Sequence, residues 1–198
     1  EWGTWYPAEP NTNPEFLYQQ NAMRDAIVAA QTLHIFQKHN DRVQMANIAQ
    51  TVNVLQALFL TQGKQLVLTP TYHAFDLLKG HQDAERLPFD LNAQTFTVDG
   101  KALSEVSVGA SRAANGDITL TLCNLRPSQR ITLEVTLKGA HVAEVSGLEL
   151  SADHITAHNT FDAPDRVTPK PYDGASLLDA NRVRLTLAAA SIVALTIR

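Results

Sequence analysis

Hydrophobic positions change their period once along this chain, near residue 86. Before that point apolar residues recur at helical spacing. Met23, Ile27, Ala30 and Leu33 repeat every three or four positions, with Phe36 on the same broad face, while Gln19, Arg24, Asp25, Gln31 and Lys38 fall largely elsewhere. The pattern predicts a long amphipathic helix over 16–38. Asn40 and Asp41 end it, and Lys38 and His39 suit the partial negative charge at its C-terminus. Upstream, the three prolines and two asparagines among residues 7–14 predict a loop. Residues 42–49 are short and mostly apolar, as a buried strand would be, and Gln50 follows directly. Residues 51–60 are apolar and leave loop, short helix and strand open; 65–68 predict a short strand. Thr69-Pro70 signals a helix start, with threonine as cap and proline in the first turn, for a helix over 72–79 closed by Gly80.

Beyond residue 86 a period of two dominates. Strands are predicted over 102–110, 117–124, 130–137, 142–150, 182–187 and 192–197, with Asn115-Gly116 as a hairpin turn. Ile118, Leu120 and Leu122 alternate with Thr119, Thr121 and Cys123, giving one buried and one less buried face. Strands so spaced, with no helix between them, predict an antiparallel sandwich. Residues 158–178 form a long connection containing three prolines. The expected fold class is therefore α/β plus all-β: a helix–strand–helix piece, then a β-sandwich. A single βα pair cannot close a sheet, so the first piece is expected to belong to a larger parallel sheet whose other strands lie outside this chain. Its uncovered apolar sides predict that the first 80 residues are partly disordered or covered by another chain.

Composition narrows the function classes. The 198 residues are 44% hydrophobic and 18% charged, enough apolar material for a packed core in one large domain or two small ones. The net charge of −4 gives no nucleic-acid footprint, which needs a clustered basic surplus. No apolar run reaches the length of a membrane-spanning helix. The lone Cys123 precludes an internal disulfide and reads as a packed thiol. The chain opens inside an aromatic-rich apolar segment, from which we expect sequence upstream, so a targeting signal is not readable.

Candidate chemistry concentrates in Glu1-Trp2-Gly3-Thr4-Trp5-Tyr6. A carboxylate can attack or stabilise an oxocarbenium-like centre, and aromatic faces pack against sugar C–H surfaces. Trp2 and Trp5 serve equally well as core anchors on this reading. Other candidates are weaker. His154 and His158 are four apart but sit in a strand or turn pattern, and Asp162, Asp165 and Asp173 match no calcium-loop spacing. No metal and no cofactor is expected.

Five motifs occur in order. They are Glu1-Trp2-x-x-Trp5-Tyr6; Lys38-His39-x-Asp41-Arg42-Val43; Asn47-Ile48-Ala49-Gln50-x-Val52-Asn53-Val54; Pro70-Thr71-Tyr72-His73-Ala74-Phe75; and Ser191-Ile192-Val193-Ala194-Leu195. Together they resemble the intracellular-type α-L-arabinofuranosidases of glycoside hydrolase family 51, over essentially the whole chain. The resemblance implies a (β/α)8 TIM barrel followed by a jelly-roll-like antiparallel β-sandwich. Residues 1–85 would be the C-terminal portion of the catalytic barrel and residues 86–198 the C-terminal sandwich. It places Glu1 at the end of barrel strand seven, residues 43–49 as strand eight, and 16–38 and 72–79 as the helices that follow them.

The same resemblance implies chemistry and partners. Glu1 is the expected nucleophile of a retaining mechanism that releases terminal non-reducing α-L-arabinofuranosyl units. Gln50 matches a glutamine that hydrogen-bonds the bound arabinose, and Trp5 an aromatic lining the sugar pocket. Trp2 reads as packing or pocket wall, and Asn53 as a supporting group or turn residue. Gly3 stands where some members carry a larger polar residue. The general acid/base glutamate of strand four and the asparagine before it are not in this chain, so the chain alone is expected to be inactive. The expected partners are arabinofuranosyl saccharides, the remainder of the catalytic barrel, and further copies of the parent as a homo-oligomer; the expected location is the cytoplasm. Two alternatives remain: an endoglucanase of the same family, and a non-catalytic carbohydrate-binding or structural sandwich. Against a binding module, residues 86–198 hold only Phe89, Phe96, Phe161 and Tyr172 as aromatics.

Overall fold

A computed structural model of the chain describes residues 2–198 and divides into two compact units. The first comprises residues up to 76 together with 150–168, and the second comprises 77–149 and 169–198.

In the first unit a short 3-10 turn, Pro14–Phe16, precedes helix α1, Met23–Lys38. The predicted helix start at Phe16 is therefore seven residues early. Leu17 sits in the left-handed region, and the buried Gln19 and Asn21 use their amides on backbone groups instead of continuing a helix. Distant carbonyls set the observed start: Met23 N–H donates to Ala157 O at 2.9 Å and Arg24 N–H to Ile155 O at 2.8 Å. These bonds satisfy helix-start donors that have no intrahelical partner. The buried face runs through Met23, Ala26, Ala29, Ala30 and His34, with Asp25 also fully buried. Ile27, Leu33 and Phe36 are only half-buried.

Strands β1, Phe59–Gln62, and β2, Gln65–Leu68, form a hairpin whose two-residue turn starts with Gly63 at φ 58°. Helix α2, Pro70–Leu78, follows. Thr69 caps it: its Oγ1 accepts from Tyr72 N–H at 3.3 Å and donates to Ala57 O at 2.7 Å. A small core of Ala57, Leu60 and Val67, with Tyr18 and Phe161 packed on it, holds the hairpin. The buried Asn159 ties residues 150–168 to it, donating to Leu68 O at 2.9 Å and accepting from Val167 N–H at 2.7 Å.

The predicted strand over 42–49 is not formed. Among the described residues this stretch has no ladder, and Met45 is 77% exposed. A strand is stabilised by pairing with neighbours, and no neighbouring strand lies beside this stretch among the described residues. The expected βα units therefore do not appear here as strand-plus-helix pairs. What the structure shows is small antiparallel sheets with two helices.

The second unit is a β-sandwich. Its elements are β3 Glu85–Arg86, β4 Thr95–Val98, β5 Lys101–Ser104, β6 Val106–Arg112, β7 Ile118–Asn124, β8 Ile131–Thr136, β9 Val145–Leu150, β10 Lys170–Pro171, β11 Ala175–Asp179, β12 Arg182–Leu187 and β13 Ile192–Ile197. One sheet orders β10-β9-β13-β7-β6-β3, a second β11-β12-β8, and β4-β5 form a separate hairpin. Pairs β6–β7, β7–β13 and β8–β12 are antiparallel, with Val108 opposite Leu122, Leu195 opposite Leu120 and Leu185 opposite Leu133. Side chains from both main sheets meet in one core that includes Val106, Leu122, Leu185, Leu187 and Leu195. Strands β12 and β13 coincide with the sequence reading, and Asn115-Gly116 turns between β6 and β7 with Gly116 at φ 93°. The short β3, β4, β10 and β11 carry too few alternations to be read from sequence.

The face of β7 expected to be less buried is in fact covered at its centre. Thr121 and Cys123 are both fully buried, and burial pushes the Cys123 thiol pKa up. Thr121 meets His81, whose ring nitrogens lie 2.7 Å from Ser111 Oγ and 2.8 Å from Thr121 Oγ1. Burial lowers the pKa of His81 to about 4. The folded state thus takes up this proton later than the unfolded chain. The His81 contribution is fully present above the unfolded pKa of 6.5 and is lost as pH falls towards 4. We expect His81→Gln to flatten the stability–pH curve between those limits, by up to roughly 3 kcal/mol. Urea midpoints measured from pH 7 to pH 4 check this; equal slopes for wild type and variant would refute it.

Candidate active site

Glu1 lies outside the described residues, so the geometry begins with the segment that follows it. Trp2 is wedged between the two helices. Its ring meets Phe36 of α1 edge-on at 5.5 Å and stacks on Phe75 of α2 at 6.1 Å. These contacts make Trp2 a packing residue between the two helices. Trp5 is 67% exposed, leaving its ring free for another surface. Tyr6 is covered by the Arg24 guanidinium, 4.0 Å from the ring centroid.

Between the tryptophans, Thr4 enters a polar network with Gln19, Asp25, Gln56 and Thr71. Thr4 N–H donates to Gln56 Oε1 at 2.7 Å, and Thr4 Oγ1 donates to Asp25 Oδ1 at 2.5 Å. Gln56 Nε2 donates to Asp25 O at 2.8 Å and lies 3.2 Å from Thr71 Oγ1. Gln19 grips the next peptides, donating from Nε2 to Thr4 O and accepting from Tyr6 N–H at 2.8 Å. Gln19, Asp25, Gln56 and Thr71 are all buried. These bonds satisfy the Thr4 N–H, the Thr4 carbonyl and the Tyr6 N–H and tie the segment after Glu1 to buried side chains.

Asp25 corrects the sequence reading, which set it among the polar positions away from the helix core. Its second carboxylate oxygen accepts from Ala22 N–H at 2.7 Å, so it also caps α1. Alanine at the N-cap cannot do this, and an acidic residue three positions on is the signal that could have found it. Burial raises the carboxyl pKa above the usual aspartate range, against the opposing effects of the Thr4 and Ala22 hydrogen bonds and the nearby Arg24 charge. Gln19 and Gln56 carry no periodic signal and were not anticipated.

Gly3 has a clear role. Its φ is 134°, and a Cβ there would stand 2.9 Å from Gln56 Oε1 and 3.6 Å from Ile48 side-chain atoms. The opening segment therefore lies beside the stretch that ends at Gln50. Gln50 itself is exposed, and its backbone N–H points to Val54 O at 3.5 Å. Asn53 is a turn residue, with φ 61° and its amide bonded to both the backbone and side chain of Thr61.

The remaining sequence candidates behave as local polar groups. His154 Nδ1 contacts Thr156 Oγ1 at 2.7 Å, and His158 Nδ1 contacts Thr156 O at 3.0 Å. Among the described residues no three metal-binding side chains converge.

The sequence model of the α-L-arabinofuranosidase C-terminal domain matches residues 1–191, and the chain belongs to that family. The intracellular exo-α-L-arabinofuranosidase of Bacteroides ovatus is 40% identical over 199 residues, which are all of this chain and 38% of that protein. The intracellular exo-α-(1→5)-L-arabinofuranosidase of Streptomyces lividans is 29% identical, over 95% of this chain and 30% of that protein. Among solved structures, the family 51 arabinofuranosidase from Xanthomonas axonopodis pv. citri superposes with a TM-score of 0.95 at 43% identity, covering 100% of this chain and 40% of that one. The chain thus spans about two fifths of the length of these two nearer relatives.

Proposed function

We propose that this chain is the nucleophile-bearing C-terminal part of a retaining exo-α-L-arabinofuranosidase. The observation that carries the reading is the clamped segment directly after Glu1, set beside the stretch that leads to Gln50. Nucleophilic attack needs a carboxylate that does not wander, and the Trp2 wedge and Thr4 network supply a rigid base for it.

In this mechanism Glu1 attacks the anomeric carbon of a terminal arabinofuranosyl unit. The bond to the leaving oxygen breaks, and that oxygen takes a proton from a general acid elsewhere in the protein. Water then displaces Glu1 from the glycosyl-enzyme, releasing L-arabinose with retained configuration. Gln50 hydrogen-bonds sugar hydroxyls and Trp5 packs on the sugar ring. Both are exposed, as ligand-facing groups would be.

The first unit completes a (β/α)8 barrel with the rest of the protein. There residues 42–49 gain ladder partners, and α1 and α2 cover the last strands. The sandwich, residues 86–198 on the sequence boundary, is a structural domain and carries no catalytic group. The parent works as a homo-oligomer in the cytoplasm, the latter in keeping with the intracellular relatives. It requires no cofactor. The chain alone lacks one of the two carboxylates and is inactive.

The test is turnover of an aryl α-L-arabinofuranoside by the complete protein and by the chain alone, with the product anomer followed by NMR. Arabinose released as the α anomer by the complete protein, and none by the chain alone, is the expected result. Release of the β anomer, or hydrolysis of aryl glucosides in its place, would overturn it.

A further inference from the structure

A groove of about 540 Å³ opens on the surface of the first unit. Phe16, Tyr18 and Phe161 supply its aromatic lining, and Asn13, Asn53 and Gln62 its amides. None of the described residues lining it carries a charge. Tyr18 and Phe161 are packed on the Ala57, Leu60 and Val67 core, which holds those rings still. Phe16 is 68% exposed and stands at the edge of the groove, its neighbour Leu17 in the left-handed conformation. Asn53 locks one wall, with three hydrogen bonds from the loop before β1 to Thr61 in that strand. That wall belongs to the loop that carries Gln50, whose backbone N–H points to Val54, another lining residue.

We infer that this groove binds the next units of a neutral oligosaccharide whose terminal sugar occupies the site of Glu1, Trp5 and Gln50. The inference rests on the arabinofuranosidase reading above. Aromatic faces that bury sugar C–H surface, edged by amides and without charge, suit an uncharged polyol chain and offer nothing to an anionic ligand. Tyr18 and Phe161 are packed in place before binding, so little ordering of these two rings is lost when a chain docks. Continuity with the Gln50 loop gives the groove its direction: a saccharide held by its end at Gln50 passes Val54 and Asn53 on its way to Phe16.

The experiment compares two substrates in the complete enzyme. One is an aryl α-L-arabinofuranoside, which has no further sugar units; the other is an arabino-oligosaccharide of about five units, long enough to enter the groove. For Phe16→Ala we expect KM for the oligosaccharide to rise about fivefold to tenfold with kcat unchanged, and the aryl substrate to be turned over within twofold of wild type. Phe16→Tyr, which keeps a ring, should restore the oligosaccharide KM. Unchanged oligosaccharide kinetics in Phe16→Ala would overturn the groove assignment while leaving the arabinofuranosidase reading intact. A change in native mass, with both substrates affected alike, would mean that the groove packs against a second copy instead. A wild-type enzyme inert towards the aryl substrate would sink the parent reading and this inference with it.

Discussion

Replacing Glu1 with glutamine in the complete enzyme is expected to lower kcat for an aryl α-L-arabinofuranoside by on the order of 10⁴-fold or more, with KM little changed. Glutamine keeps the size of the side chain but loses the negative charge. Its amide oxygen cannot form the glycosyl-enzyme, and the oxocarbenium-like transition state loses its closest counter-charge. Residues 2–6 are held by groups elsewhere in the chain: Trp2 by Phe36 and Phe75, and Thr4 by Asp25 and Gln56. The variant should therefore fold and bind as wild type does. A second measurement separates a nucleophile from a positioning group. In Glu1→Ala, added azide can enter the space left by the carboxylate. Its terminal nitrogen bonds to the anomeric carbon as the aryloxide leaves, giving the inverted β-arabinosyl azide. Recovery of that product by NMR supports the role. Activity of Glu1→Gln within tenfold of wild type would end it.

The second large effect is structural. Asp25→Ala is expected to cost about 2–4 kcal/mol of stability, because it removes a helix cap, strands the buried Ala22 N–H and leaves the Thr4 hydroxyl with Gln56 Oε1 as its one remaining acceptor. The local change should also reach the active site. With one of the bonds on Thr4 gone, the segment after Glu1 is held by Gln56 and Gln19 alone, and kcat should fall in the fraction that remains folded. The direction of the Asp25 pKa adds a pH signature. Its folded pKa is raised, so the folded state holds this proton more tightly than the unfolded chain. The contribution is most favourable below the ordinary aspartate range and declines as pH rises through the raised value. Asp25→Asn should remove that slope while retaining part of the cap. Denaturant midpoints of the three proteins across pH 3.5 to 7 check the ordering. An Asp25→Ala variant as stable as wild type would refute the cap and the network together.

Both effects start from residues whose importance was unequally visible in the sequence. The Glu1 to Tyr6 motif stands out as a local pattern, a carboxylate beside two tryptophans, and its reading as a nucleophile segment comes from the family resemblance. The partners that hold it could not. Gln56 lies 52 residues from Thr4, and Asp25 lies 21. Asp25 reads as a solvent-facing position when only its own helix is considered. It is buried because another segment brings a hydroxyl to it and because its helix begins seven residues later than periodicity predicts. Residues 150–168 look like sandwich and connection in one dimension, yet Asn159 and the carbonyls of Ile155 and Ala157 bind them to β2 and to the start of α1.

Periodicity settled the type of element wherever an element was long enough to repeat. The period of two named β7, β8, β12 and β13, the helical period placed the C-terminal end of α1, and Thr69-Pro70 marked the start of α2. Those signals are local, since each depends on neighbours within a few positions. Whether 42–49 is a strand depends on having something to pair with, and whether a polar side chain is buried depends on a partner arriving from elsewhere in the chain. Long-range pairing of backbone and side-chain polar groups is a property of the folded chain in three dimensions, so it became visible once distant segments stood side by side.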